Sequence, residues 1–381
     1  MAPGREVNRP PRSARAVTLF LCGDVMTGRG IDQLLPHPGD PRLRERYIND
    51  ARDYLALAEA QSGPIPRPVV PSYIWGDALD ELARVAPAAG IINLETGVTR
   101  SDDYWPDKRV HYRMHPANVA CLTAAGIDVC ALANNHALDF GYAGLAETLA
   151  ALREAGLKSA GAGQSAEEAR RPATVDLGGG RALHVFAFGA ESSGIPRAWA
   201  ATAARPGVDL LPDLSEATAA GVTARVRRAR RPGDLAVASL HWGSNWGYEV
   251  PAEQARFARR LIDGGVDIVH GHSSHHARPV EVYRGKLILY GCGDLLNDYE
   301  GIAGHEEYRG DLALMYFATV ALPGGALIGL SMTPLQIRRC RLKRAPREDA
   351  KWSRATLDQI SAALGSRVGL TARGSLVLRW T

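Results

Sequence analysis

From residue 16 onward, short apolar runs rich in β-branched residues alternate with stretches whose apolar positions recur every three to four residues. The runs 17–22, 90–94, 128–132, 184–188, 235–240, 267–269 and 287–290 predict buried strands, because a strand covered on both faces reads as continuous apolar sequence. Segments 116–125, 142–155, 214–230 and 252–263 predict helices. In the last of these, Phe257, Leu261 and Ile262 fall on one helical face and Gly264-Gly265 ends it. The helix over 214–230 is expected to start near Ser215 and to stop at Pro232-Gly233. This alternation predicts a layered α/β domain.

Two regions break the rhythm. Residues 36–75 are rich in charge and proline (Pro64, Pro66, Pro68, Pro71), with one helical stretch near 48–60. They read as a long surface insertion of the lid or specificity-loop kind. From about Lys343 the tail predicts a helix near 352–364 and a last strand over 375–380. The expected division is a main domain over 16–340 with a C-terminal extension, 341–381, packed on it. Gly178–Gly180 predicts a hairpin turn, and no internal repeat is present.

Composition narrows the function. The 381 residues carry 45 Lys+Arg against 41 Asp+Glu, a net +4, and 46% are hydrophobic, as in ordinary soluble globular chains. The densest basic clusters, 225–231 and 338–347, lack interleaved aromatics and read as solvated faces, so no nucleic-acid partner is expected. No run approaches the roughly 20 apolar residues that span a bilayer. The polar residues 1–15 and the short apolar run behind them do not make a signal peptide. Cys22, Cys121, Cys130, Cys292 and Cys340 contain no CxxC pair and are expected as reduced thiols. A cytoplasmic protein without a membrane anchor is expected.

The candidate chemistry sits where the strands end. Asp24 follows the first strand and Glu95 the second. Asn134-Asn135-His136 follows the third, with Asp139 close behind. His241-Trp242 and then His270-Gly271-His272 follow the next two, with His275 and His276 beyond, and Asp294 comes after the last. Singly, each has a bland reading: an Asp after a strand caps a helix, and Asn-Asn is turn chemistry. Four of the 11 histidines within seven residues is less ordinary. Ligands of open α/β sheets gather beyond the carboxyl ends of strands. Carboxylate, amide and imidazole together suit Mn, Fe or Zn, so one or two divalent metal ions per chain are expected.

The motif series GDVM, NLET, LANNHALDFG, HWG, GHSSH, EVYRGK and YGCGD over about residues 16–300 resembles the CapA/PgsA family of poly-γ-glutamate capsule-synthesis proteins. That family is similar to the calcineurin-like metallophosphoesterases. The resemblance implies a four-layer α/β/β/α sandwich with a dinuclear centre at the common edge of two sheets. It implies Asp24 and His275 at the first metal, Glu95 bridging, and Asn135, His241 and His272 at the second. His136 would be the catalytic imidazole, acting as general acid, with Asp139 orienting it. Met26 stands where metallophosphoesterases usually carry a histidine, Glu95 where they carry Asp, and GHSSH where relatives show GHHPH. A mononuclear site is compatible with these departures.

Arg109 and Arg113, with Trp105 and Trp242, are the expected substrate-binding residues, the cations suiting an anionic group. The expected activity is metal-dependent hydrolysis of an anionic small molecule or a γ-glutamyl or peptide-like substrate, through a phosphoester or an amide bond. Two alternatives stand beside it. One is amide-bond formation in a polyglutamate-like or secondary-metabolite pathway, for which the sequence holds no P-loop to activate an acyl donor. The other is a non-catalytic, metal-containing assembly or binding subunit.

Overall fold

The computed structural model describes residues 16–381, and the polar segment 1–15 lies outside the described residues. Two large sheets organise the chain. The first has ten strands, and its main path runs Ser366–Leu370, Leu376–Trp380, Leu327–Ile337, Leu312–Ala321, Ala16–Val25, Ala89–Leu94, Val129–Ala131, Lys158–Ala160. Asp294–Leu296 lies beside Ala16–Val25, and Leu342–Arg344 lies beside Leu327–Ile337. The second sheet runs Val280–Tyr283, Lys286–Leu289, Ile268–His272, Leu235–His241, Arg181–Gly189, Ala173–Gly178.

Period-two alternation shows how the second sheet is covered. Val185, Ala187, Leu235 and Val237 join a core shared with Leu19, Leu21 and Ile91 of the first sheet. The residues between them, Phe186, Phe188, Ala236, Ala238 and Leu240, pack on Val222 and Val226 of the helix Glu216–Ala229 and on Phe257 and Leu261 of the helix Ala252–Asp263. The helix Gly141–Glu154 buries Leu145, Leu149 and Leu152 near the parallel strands of the first sheet. The architecture is the four-layer α/β/β/α sandwich.

Most elements fall where the patterning puts them. Ala252–Asp263 agrees end to end, and Ser215 caps its helix by accepting the Thr218 N–H. Gly178–Gly180 turns the hairpin between Ala173–Gly178 and Arg181–Gly189. Several strands run further than expected: Ala16–Val25 includes Asp24, Leu235–His241 includes His241, and Ile268–His272 includes His270 and His272. The segment predicted as a helix over 116–125 splits into a 3-10 turn, Pro116–Asn118, and a short helix, Ala120–Thr123. Unanticipated is the long hairpin of Leu312–Ala321 and Leu327–Ile337. It enters antiparallel, outside the β–α alternation.

The tail contributes the helix Arg347–Ser361 and three strands to the first sheet, with Leu376–Trp380 pairing directly with Leu327–Ile337. The proline-rich insertion is firmly seated. Its helix is Arg52–Ser62, and Leu55, Ile65, Val69, Ile74 and Trp75 all belong to the core. All five cysteines are buried and free. Among the described residues no helix is long and apolar enough to cross a membrane.

Candidate metal centre and catalytic site

Parallel pairing aligns the carboxyl ends of the central strands in both sheets, and the sandwich brings those ends together. A tight approach fixes the corner. A Cβ on Gly23 would lie 1.8 Å from the Gly293 carbonyl oxygen, so only glycine lets that carbonyl accept the Asp24 N–H at 3.0 Å. Asp24, Glu95, His136, His241 and His272 converge there, all buried.

The hydrogen-bond network assigns the imidazole tautomers. His270 Nε2 donates to the Cys22 carbonyl at 2.7 Å, which leaves its Nδ1 to accept the Ser239 hydroxyl at 3.1 Å. Ser239 Oγ must then accept from His272 Nε2 at 2.8 Å, so His272 Nδ1 carries a lone pair. His241 Nε2 donates to Asn135 Oδ1 at 2.9 Å, so its Nδ1 is bare as well. These two Nδ1 atoms face each other across 2.8 Å. Burial pushes both imidazoles far below the ordinary histidine pKa, so neither is charged at neutral pH.

Carboxylates complete the cluster. Asn93 Nδ2 donates to Asp24 Oδ1 at 2.7 Å and to Glu95 Oε2 at 3.1 Å. The Ser273 N–H reaches Asp24 Oδ2 at 3.3 Å from a backbone with φ 100°, an uncommon conformation for a side-chain-bearing residue. Burial, reinforced by Asp294, pushes the Asp24 carboxyl up to about 7. Burial and then Asp24 push Glu95 up as well. Burial opposes charge on His275, but Asp294 and Asp24 outweigh it and raise its pKa. Opposed lone pairs and crowded buried carboxylates are what a bound cation resolves, so the donor set fits a divalent metal. Two groupings have ligand atoms within 4.8 Å of one another: Asp24 with His241 and His272, and Asp24 with His275 and Asp294. Asp24 is common to both. Glu95 lies 3.6 Å from His136 Nε2 and 4.0 Å from His241 Nδ1.

Beside the cluster, His136 Nδ1 lies 2.6 Å from Asp139 Oδ2, which also accepts the Tyr112 N–H at 2.7 Å. Asp139 stays ionised, since His136 and Lys108 together outweigh its burial. The proton of that contact therefore belongs to Nδ1. Lys108 donates to the other Asp139 oxygen. Burial above all, with Lys108 adding to it against the pull of Asp139, takes the His136 pKa down to about 4. Glu95, Asn135, His136, His241 and His275 line a cavity of about 270 Å³ whose remaining wall includes Lys108, Arg109 and Tyr299.

The structure thus brings Asp24, Glu95, Asn135, His136, Asp139, His241, His272 and His275 into one neighbourhood. The expected substrate residues divide. Arg109 lines the cavity. Arg113 does not, its guanidinium being spent on the Ser101 and Asp40 carbonyls and on Asp102. Trp105 packs edge-on against Tyr142 and Trp199. Trp242 is buried in the core, stacked on Tyr290 with its Nε1 donating to the Tyr290 carbonyl. Of the four clustered histidines, His270 braces the Ser239 network, and His276 stacks on Tyr308 away from the cluster. Asn93 has no role in the sequence expectations, and Asp294 appears there only as a strand-end residue with no metal assigned to it.

The family described as bacterial capsule synthesis protein PGA_cap matches residues 18–299. A probable polyglutamine synthesis accessory protein of Mycobacterium tuberculosis (strain H37Rv) is 53% identical over 353 residues, covering 92% of this chain and 93% of that protein. The PGA biosynthesis protein CapA of Bacillus subtilis (strain 168) is 31% identical over 207 residues, 54% of this chain and 52% of that protein. A crystal structure of the 5'-nucleotidase precursor from Thermus thermophilus superposes with a TM-score of 0.48 at 15% identity, covering 92% of this chain and 59% of that one. With a match that spans most of its length and takes in the strand-end motifs from Asp24 to Asp294, the chain belongs to the bacterial capsule synthesis PGA_cap family.

Proposed function

We propose that the protein is a metal-dependent hydrolase acting on an anionic small-molecule or peptide-like substrate. The observation that carries this reading is the pair of bare imidazole nitrogens, His241 Nδ1 and His272 Nδ1, facing each other at 2.8 Å beside a cavity that also holds His136. Asp24, Glu95, His241 and His272 would hold one divalent cation, with Asn135 fixing the His241 ring by accepting its Nε2–H, and a second position lies at His275. Mn, Fe or Zn there would polarise a water and the bond to be broken.

The chain's own residues do the rest. Asp139 fixes the His136 ring through Nδ1–H, so the Nε2 lone pair points toward Glu95 and the cavity. A neutral His136 would take a proton at Nε2 from the attacking water and then give it to the leaving group. That order refines the general-acid role expected from sequence, because burial leaves the resting ring unprotonated. Lys108 and Arg109 put positive charge on the cavity wall, which suits a phosphate or carboxylate. The names of the relatives, which refer to polyglutamine synthesis and PGA biosynthesis, support a peptide-like amide. The metallophosphoesterase resemblance supports a phosphoester.

The word "accessory" in a relative's name favours a second reading, a metal-containing subunit without turnover. One experiment separates the two. Chelator-stripped protein is reloaded with Mn²⁺ and assayed on bis-p-nitrophenyl phosphate and γ-glutamyl-p-nitroanilide, beside His136→Asn. Turnover that disappears in the variant while Mn²⁺ stays bound supports the hydrolase. Bound Mn²⁺ with no turnover on either bond supports the accessory subunit. Protein that binds no metal overturns both.

A further inference from the structure

We infer that Asp294 is a metal ligand, completing with Asp24 and His275 a carboxylate-rich cation position distinct from the imidazole-rich one at His241 and His272. The inference rests on the metal-dependent reading above and deepens it.

The topology puts Asp294 there. Ala16–Val25 and Asp294–Leu296 are parallel neighbours in which Asp24 and Asp294 are register partners. Residues opposite each other on paired strands project to the same side of the sheet. The close approach of Gly23 to Gly293 sets this register immediately before both aspartates.

Distances agree. Ligand atoms of Asp24, His275 and Asp294 all lie within 4.8 Å of one another. His275 Nδ1 is 3.0 and 3.2 Å from the two Asp294 oxygens, a spacing that neighbouring donors on one cation adopt. Met26, two residues beyond Asp24, is unavailable, its sulfur accepting the Tyr299 hydroxyl at 3.4 Å.

Charge points the same way. Asp24, Glu95 and Asp294 are three buried carboxylates. Apart from His275, which faces Asp294 and offsets at most one of these charges, the nearby cations are committed elsewhere: Lys108 to Asp139, and Arg29 to Asp298 and Glu45. Asn297 gives Asp294 one hydrogen bond at 2.8 Å, which adds no charge. Buried carboxylates without compensation are unfavourable, and a divalent cation supplies it. Two carboxylates and one imidazole make a harder donor set than His241 with His272, so this position suits Mn²⁺ over softer ions.

A rival role for Asp294 is to orient the His275 ring through Nδ1–H, and one substitution separates the two. Asp294→Asn keeps the shape and an oxygen that accepts Nδ1–H but removes the ligand charge. Full-length protein is stripped, loaded with Mn²⁺ and desalted, and bound Mn²⁺ is counted while its EPR spectrum is recorded. Wild type is expected to hold two equivalents with a spin-coupled signal. Asp294→Asn is expected to hold one fewer, with an uncoupled six-line signal. His275→Gln, with Asp294 intact, is expected to lose the same equivalent. Melting temperatures of the metal-free variants near that of metal-free wild type separate ligand loss from misfolding. Wild-type stoichiometry and coupling in Asp294→Asn overturn the inference and leave the metal-dependent reading standing. A single wild-type equivalent that the substitution leaves untouched overturns it equally. A wild type that binds no Mn²⁺ overturns both.

Discussion

Lys108 Nζ lies 2.9 Å from His136 Nδ1, and both groups share the Asp139 carboxylate. The carboxylate that holds the imidazole is thus half-neutralised by a cation, and its power to raise the basicity of His136 is reduced accordingly. Burial is the main reason His136 sits at about 4, and Lys108 adds to it. Replacing Lys108 with methionine removes the cation and leaves the whole Asp139 charge to the ring, so the pKa of His136 is expected to rise. Imidazole ¹⁵N shifts of the metal-free protein, followed against pH, read this directly. A midpoint that stays put or falls contradicts the coupling.

His136 touches the reacting region without belonging to either group of clustered donors. His136→Asn is therefore expected to leave the Mn²⁺ content unchanged and to cut kcat by about 10²- to 10⁴-fold, the usual worth of a positioned proton carrier. The assay is single-substrate kinetics on Mn²⁺-loaded protein, with metal counted on the same samples. Loss of metal in this variant would move His136 into the ligand set.

Arg29 joins the site wall to the insertion. It pairs with Asp298 and Glu45, receives Tyr54 on one ring face at 3.8 Å, and lies 4.5 Å from the Tyr112 ring centroid. Tyr112 in turn packs on His136 and hydrogen-bonds Tyr299 at 2.6 Å. Arg29→Met leaves the buried Asp298 and the half-buried Glu45 without their cation, which costs about 3–5 kcal/mol in comparable buried pairs. Urea denaturation is expected to show that loss. Arg29→Met combined with Glu45→Gln is expected to recover part of it, and a double variant no better than the single one would show that Asp298 alone carries the pair.

The site was legible where strand-end position decides it. Asp24, Glu95, Asn135, His241 and His272 could be placed because a buried parallel strand announces its own carboxyl end. Trp242 was misplaced for a related reason. It directly follows His241, neighbouring side chains near a strand end point to opposite faces, and sequence does not say which face is the core. Asp294 is legible as a strand-end residue, but its place opposite Asp24 needs a fact sequence does not hold, the register of its strand against Ala16–Val25. Lys108 needed more still. Its segment has neither helical nor strand periodicity, and it reaches the Asp139 carboxylate on which the Tyr112 N–H, four residues further on, also docks. In the fold, the β–α alternation was readable, while the hairpin of Leu312–Ala321 and Leu327–Ile337 obeyed a different rule and escaped it.

Glu81 couples that hairpin to the helix Ala78–Val85. Its carboxylate accepts from Arg84 at 2.6 and 3.0 Å, from Thr333 Oγ1 at 2.7 Å and from Arg344 at 3.2 Å. Arg84 above all, with Thr333 and Arg344, holds the carboxyl down at about 2 against an ordinary value of 4.5. A folded pKa below the unfolded one means the stabilisation is complete above about 4.5 and drains away as pH falls toward about 2. Glu81→Gln keeps the size but discards the charge. At neutral pH it is expected to cost about 1.5–3 kcal/mol, the range for hydrogen bonds to a charged group. The gap in melting temperature between wild type and variant should then close steadily between pH 4.5 and 2. A gap that is constant across that window would mean the Glu81 carboxyl titrates as it does in the unfolded chain, and that the three partners hold it by shape alone.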